Sequence, residues 1–238
     1  MFGARRVPFF WIAYCMNQII HTTGSASLFI QVATLVLDSY VLIKPTRPEV
    51  KDLKHLLVIE NVVNYVELSF YIWMVFNFST IKNITKYRYY DWAITTPTML
   101  FTYMMYLNIV KKKQADEPHD LISLVLQEKK TILLVLGLNW LMLLFGYLGE
   151  DGKLPTALST ALGFIPFALM FYIIYVNYAK YTTLGNATFG YFISIWALYG
   201  VAALMSYKIK NVMYNILDLF AKNFFGLFLA YMVLFGKF

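Results

Sequence analysis

Apolar residues in this chain come in long blocks separated by short polar turns, rather than in the period-two alternation of half-buried strands. Seven blocks stand out, at 24–43, 55–79, 87–110, 130–149, 154–180, 186–206 and 209–236. Each matches the length of about 20 apolar residues that a helix needs to cross a bilayer. The turns between them are brief, such as KPTRPEVKD at 44–52 and GEDGK at 149–153. The longest connection, KKKQADEPHDLISLVLQEKK at 111–130, carries an apolar patch of its own. No internal repeat or low-complexity segment interrupts the pattern. Backbone groups in hydrocarbon must be satisfied within each segment, so the pattern predicts an all-α bundle of seven transmembrane helices over residues 24–238. Residues 1–23 place basic residues before an apolar run, as a signal peptide does, but without a small-residue cleavage site. They are expected to form an interfacial segment capping the outer face.

Composition agrees with that reading. Of the 238 residues, 60% are hydrophobic, 18% aromatic and 14% charged, and the mean hydropathy is +0.59. Soluble domains carry roughly 25% charged residues, so this chain lacks the polar surface to face water on all sides. The net charge of +7 does not point to nucleic acid, because most basic residues sit at the ends of apolar blocks, where loops meet lipid headgroups. A lone cysteine, Cys15, excludes an intramolecular disulfide, and no CxxC or histidine cluster suggests a metal. Counting Lys and Arg in the loops places 11 on the side of the 44–54 connection and 7 on the other, leaving Arg88 and Lys222 inside spans. The positive-inside bias predicts an extracellular N-terminus.

The chemistry lies in ionisable residues inside the spans: Asp38, Glu60, Glu67, Arg88, Asp91, Asp218 and Lys222. Each costs about 2.5–3.5 kcal/mol at mid-membrane on insertion scales and so needs a partner or a task. Asp38, near the inner end of the first span, is expected to snorkel. Lys222 lies mid-span in NILDLFAKNFFGLFLAYM, with Asp218 four residues earlier on the same face. The pair reads as a buried ion pair or as an amine suited to condensing with an aldehyde, with a carboxylate as counter-ion. The third span supplies a further carboxylate in RYYDWAITTP, where Arg88, Asp91 and Thr95 share a face. In the second span Glu60, Asn64, Glu67 and Tyr71 form a polar stripe, with Glu60 and Glu67 roughly 10 Å apart along the axis. Two acids at different depths could line a cation route, or the stripe could be satisfied by neighbouring helices.

RYYDWAITTP and LDLFAK resemble the third helix and the retinal-binding seventh helix of the microbial rhodopsins. The resemblance implies all-trans retinal as cofactor, attached to Lys222 as a Schiff base. It implies a counter-ion complex of Asp91 and Asp218, with Asp91 as primary proton acceptor. In that complex Thr95 bonds to Asp91, Tyr71 reaches Asp218 and Arg88 ties the group to the outer half-channel. Trp92, Thr96, Met99, Trp196 and Tyr199 are the implied pocket residues. Departures from the family pattern are Gly200 where proline is usual, Ala203 in place of an aromatic, and Asn139 where archaeal pumps have a carboxylate.

The proton-donor position of archaeal pumps, eleven residues after Asp91, is Thr102, and carboxylates of the outer release group are missing between Tyr199 and Ile216, where Lys208 and Lys210 stand instead. The ELSFYIW stretch, TTPTML and NILD resemble the rhodopsins of giant viruses, most of all the branch described as light-gated cation channels. That resemblance implies an ion pathway through Ser27, Glu60, Asn64, Glu67 and Asn215. The expected function is therefore a light-gated cation channel. The alternatives are an outward proton pump with Glu60 replacing the missing donor, or a photosensor. No nucleophile–base pair, phosphate loop or metal motif suggests an enzyme. Expected partners are membrane lipids and monovalent cations or protons, with a homo-oligomer as an option. The expected location is the plasma membrane or a host-cell membrane, as a multi-pass protein.

Overall fold

The computed structural model describes residues 9–236, with side chains from Gln18 onward. The helices are α1 (Phe9–Ile43), α2 (Lys51–Phe76), α3 (Ile84–Gln114), α4 (Leu121–Glu150), α5 (Thr156–Asn177), α6 (Thr183–Ala203), α7 (Tyr207–Asp218) and α8 (Phe224–Phe235). A five-residue π-helical turn, Leu219–Asn223, joins α7 to α8, so these segments make one seventh span. The described chain is thus a seven-helix bundle, as the sequence predicts.

Polar side chains cap three of the helix starts. Asn83, Asp120 and Thr182 are N-caps whose side chains accept from the backbone N–H of Lys86, Ser123 and Gly185, at 3.3, 3.1 and 2.8 Å. Such caps satisfy donors that a helix leaves orphaned in its first turn. The cap at Asp120 corrects one expectation. The apolar patch in the predicted 111–130 connection is the first two turns of α4, and the loop shrinks to the few residues between Gln114 and Leu121. On the other side, helix α1 runs unbroken past position 23. Residues 1–8 of the expected interfacial segment lie outside the described residues.

Among the described residues, five spans qualify as membrane-crossing by length and composition alone: Gln18–Ile43, Pro48–Phe76, Leu121–Glu150, Thr156–Tyr181 and Tyr207–Phe235. Helix α3 is the most enclosed of the others, with a buried run from Met99 to Val110 broken only at Phe101. It packs against α2, α4 and α6, which encloses Arg88 and Asp91 inside the bundle. Large apolar side chains face outward around the bundle, among them Phe29, Ile43, Phe76, Leu133 and Tyr172. A soluble monomer does not present such a belt.

The ends of the bundle are tied by polar contacts. Asp151 bonds Lys86 at 2.7 Å and Lys153 at 3.1 Å, and the hydrogen bond from Lys86 holds its carboxyl below the usual aspartate value. At the opposite end, Arg47 of the α1–α2 loop donates to the carbonyls of Val233, Leu234 and Gly236 at 3.3, 3.4 and 3.0 Å. These are C-terminal carbonyls of α8 with no intrahelical donor. Replacing Arg47 by alanine should cost about 1 kcal/mol and lower the thermal midpoint by about 2–4 °C. Circular dichroism melting of the detergent-solubilised protein would measure this, with the helical signal at low temperature unchanged.

Candidate functional site

The π turn holds Lys222, which is 1% exposed, where the seventh span faces α2 and α3. Nothing in the local sequence marks a π turn, and such bulges concentrate at functional sites. Around the Lys222 Nζ lie Asp91 Oδ2 at 2.7 Å, Asp218 Oδ1 at 3.5 Å and Glu67 Oε1 at 3.7 Å. A buried ammonium is tolerated only when paired and hydrogen-bonded, and three carboxylates from three helices supply that pairing.

Asp218 is held on all sides. Its Oδ2 accepts from Tyr71 at 2.8 Å and from Arg88 at 3.0 Å, and its Oδ1 accepts from the Tyr199 hydroxyl at 2.8 Å. Arg88 also donates to Asn211 Oδ1 at 3.3 Å and to Asn215 Oδ1. The Asn215 amide donates to the Ile20 carbonyl at 3.1 Å and Thr23 Oγ1 at 2.9 Å, and Ser27 donates to the Asn215 backbone carbonyl at 2.7 Å. The network therefore links α1, α2, α3, α6 and the seventh span through one fully buried guanidinium. Thr95 bonds Asp91 as expected, but through the Asp91 backbone carbonyl at 3.0 Å. Asp91 Oδ1 has no partner within the protein.

On one side of Lys222 the interior is apolar. A cavity runs from its amine between α3, α4, α5 and α6, lined by Trp92, Thr96, Met99, Trp196, Tyr199 and Phe164 among others. Every pocket residue expected from the resemblance is on its wall. Its volume is about 110 Å³, and its lining is almost wholly apolar. The departures have a structural account. A Cβ at Gly200 would lie 2.5 Å from Phe164 Cζ, so glycine lets the α5 phenyl ring fill the space, and Ala203 leaves room beyond it. Asn139 donates to Thr96 Oγ1 at 2.8 Å, which fixes α4 against the cavity wall.

On the other side the interior is polar. Glu60, Asn64 and Glu67 of α2 are all buried, on a helix that packs against α1, α3 and the seventh span. Thr102 donates to Glu60 Oε2 at 2.7 Å. Glu67 has neither oxygen hydrogen-bonded within the protein. Asp38 corrects the sequence reading: it does not snorkel, but is 0% exposed and accepts from Asn64 Nδ2 at 3.0 Å. Lys210, expected in an outer loop, pairs with Glu150 at 2.6 Å with both side chains nearly buried. A carboxylate of α4 thus reaches the end of the bundle where α7 begins. Sequence reasoning also missed Asn211, which donates to Thr85 at 3.0 Å and receives Arg88. Its place four residues before Asn215 was the available signal.

A lysine in the seventh span, set against carboxylates of the second, third and seventh spans and opening into an aromatic cavity, defines a class. The chain matches the bacteriorhodopsin-like protein family over residues 18–235 and belongs to that family; it is an integral membrane protein. Among solved structures it is similar to viral rhodopsin OLPVRII, at 27% identity and a TM-score of 0.77, covering 90% of this chain and 96% of that one. It is also similar in fold to xanthorhodopsin, described as a light-driven ion pump with dual chromophore, at 17% identity and a TM-score of 0.70, covering 92% and 93%. A third similar fold is Exiguobacterium sibiricum rhodopsin, at 17% identity and 0.70, covering 92% and 96%. No curated protein matches the chain.

Replacing Arg88 by glutamine should destabilise the protein by about 3–5 kcal/mol, the cost of leaving a buried partner charge unpaired. Replacing Tyr199 by phenylalanine should cost only about 1.5–3 kcal/mol, as one hydrogen bond to a charged group. Thermal unfolding of the two variants side by side would establish the order.

Proposed function

We propose that this protein is a light-gated cation channel whose chromophore is retinal carried on Lys222. Rhodopsins of this family bind retinal, and the residues here suit it: a buried amine at the end of a long apolar cavity with aromatic walls. Lys222 would hold the aldehyde end, Trp92 and Trp196 would flank the polyene, and Phe164 with Gly200 and Ala203 would bound the far end. When bound, all-trans retinal supplies light-driven isomerisation and a protonated nitrogen that releases its proton after the photon.

The chain's own residues do the rest. Asp91 Oδ2, the carboxylate oxygen nearest to Nζ, receives that proton. Its transfer removes a cation and an anion from the group that Arg88, Asp218 and Glu67 share. The guanidinium is then held less tightly against Asn215, which is also the contact of Ser27 and Thr23. Release of Asn215 opens the space between α1, α2 and the seventh span on that side. Glu67 and Glu60 line the route beyond it, attract cations and repel anions.

The single observation that carries this reading is the buried polar column of Ser27, Asn215, Glu67, Asn64 and Glu60, which lies on the far side of Lys222 from the apolar cavity. Buried acids are costly, and an ion pathway gives them a task. A second reading has support from one contact. Thr102, at the third-helix donor position, donates to Glu60 Oε2 at 2.7 Å. Glu60 therefore stands where an outward proton pump would need its donor. With the extracellular N-terminus expected from loop charge, Glu60 lies on the inner half in either case.

Light-evoked current measured over a range of voltages, in cells supplied with retinal, separates the two. A channel gives a current that reverses near the cation equilibrium potential, and Glu60→Gln and Glu67→Gln should each reduce it and weaken its preference for cations over anions. A current that stays outward at every voltage would replace the channel with the pump. Unchanged conductance and selectivity in both glutamine variants would remove the acids from the pathway.

A further inference from the structure

The channel reading uses Ser27 of α1 and leaves the rest of that helix's buried polar stripe without a task. Ser27, Gln31, Thr34 and Asp38 follow spacings of four, three and four, so they share one face. All four are 2% exposed or less. From Ser27 to Asp38 the stripe descends about 16 Å at the helical rise, from the Arg88 network toward the α1–α2 loop.

At its lower end polar groups gather that the protein itself does not satisfy. Asp38 accepts from Asn64 through Oδ2, but Asp38 Oδ1 and Asn64 Oδ1 have no partner. Neither polar atom of Asn223, in the π turn, has a partner. The seventh span makes room for this group. A Cβ at Gly226 would lie 2.7 Å from Asp38 Oδ2 and 3.0 Å from Asn64 Nδ2. Asn223 precedes Gly226 by three residues, about one turn, and α1 packs against both the π turn and α8.

Each unsatisfied buried polar group costs about 1–3 kcal/mol, so such a gathering is retained for something it binds. Its chemistry selects the ligand. Asp38, Asn64 and Asn223 each offer one unpartnered oxygen, from one carboxylate and two amides. Oxygen ligands are what hard cations take in exchange for their hydration shells. Among the described residues no Lys, Arg or His forms an ion pair with Asp38, and Lys222 is committed to Asp91, Asp218 and Glu67. A single formal negative charge suits a monovalent ion rather than a divalent one.

We propose that Asp38, Asn64 and Asn223 form a binding site for a partly dehydrated monovalent cation, in series with Glu67 and Glu60 on the α1–α2-loop side of Lys222. The proposal rests on the channel reading and adds to it the place where a permeating ion pauses and is selected. It also assigns Gly226 a role, because a side chain there would intrude on the site.

The test uses the full chain in retinal-supplied cells, with Na⁺ as the probe ion and light-evoked current as the readout. Asp38→Asn removes the charge, and Gly226→Ala fills the space while keeping every charge. Both should lower the Na⁺ current roughly tenfold at matched pigment, the change that about 1.4 kcal/mol of ion binding gives. Asp38→Glu should preserve the current. The visible absorption band should stay in place in all three, because none of these groups touches Lys222. Wild-type currents from both Asp38→Asn and Gly226→Ala, alongside a reduced current from Glu67→Gln, would overturn the site and leave the channel standing. Absence of any reversing current from the unaltered chain would overturn the channel reading and this site with it. Should Asp38→Asn fail to form pigment, Gly226→Ala decides alone.

Discussion

The ammonium of Lys222, placed deep in a membrane bundle, is the constraint around which the interior is arranged. A cation there is unfavourable by several kcal/mol unless it is paired and the pairing groups are themselves satisfied. Asp91 and Asp218 supply the pairing at 2.7 and 3.5 Å. Asp218 in turn requires Tyr71, Tyr199 and Arg88, and Arg88 requires Asn211 and Asn215. Satisfying one charge therefore recruits side chains from α2, α3, α6 and α7, and through Asn215 reaches α1. The contacts that stabilise the lysine also hold the bundle in register. A change in its charge is for the same reason felt several helices away.

The interior divides at that lysine. Toward α3, α4, α5 and α6 the walls are aromatic and aliphatic, with glycine at 200 and alanine at 203 making space. Toward α1 and α2 they are carboxylates and amides, many with atoms that no protein group satisfies. A cavity for an apolar ligand and a column for ions require opposite solvation, and a single helix face cannot offer both. The π turn at Leu219–Asn223 lies at the division, with Lys222 on the cavity wall and Asn223 adjoining the polar column. The extra residue in that turn changes which faces of the seventh span meet the two regions.

Much of this was legible in the sequence for a simple reason. Charges inside apolar spans have few explanations, so Lys222, Asp91 and Asp218 drew attention at once, and the four-three-four spacing of Glu60, Asn64, Glu67 and Tyr71 placed them on one buried face. The helix count followed from block lengths. What was not legible depended on tertiary contact. Asp38 lies near the end of α1, where a carboxylate can reach headgroups, and only the packing of α2 and Gly226 shows it enclosed. The start of α4 was hidden because the polar run QEKKT at 127–131 separates its first two apolar turns from the block that follows. The role of Gly200 depends on Phe164 of another helix, and Glu150 meets Lys210 from across the bundle. The π turn leaves no mark in composition or periodicity.

The central claim, that Lys222 is the group that carries the chromophore, has a direct measurement. The protein would be regenerated with all-trans retinal, reduced with borohydride to fix the linkage, and mapped by peptide mass spectrometry. The expected result is one retinyl addition on the peptide containing Lys222, absent from the Lys222→Ala variant. A retinyl group on another lysine, or a visible pigment that survives in Lys222→Ala, would contradict the assignment and the arrangement built around it.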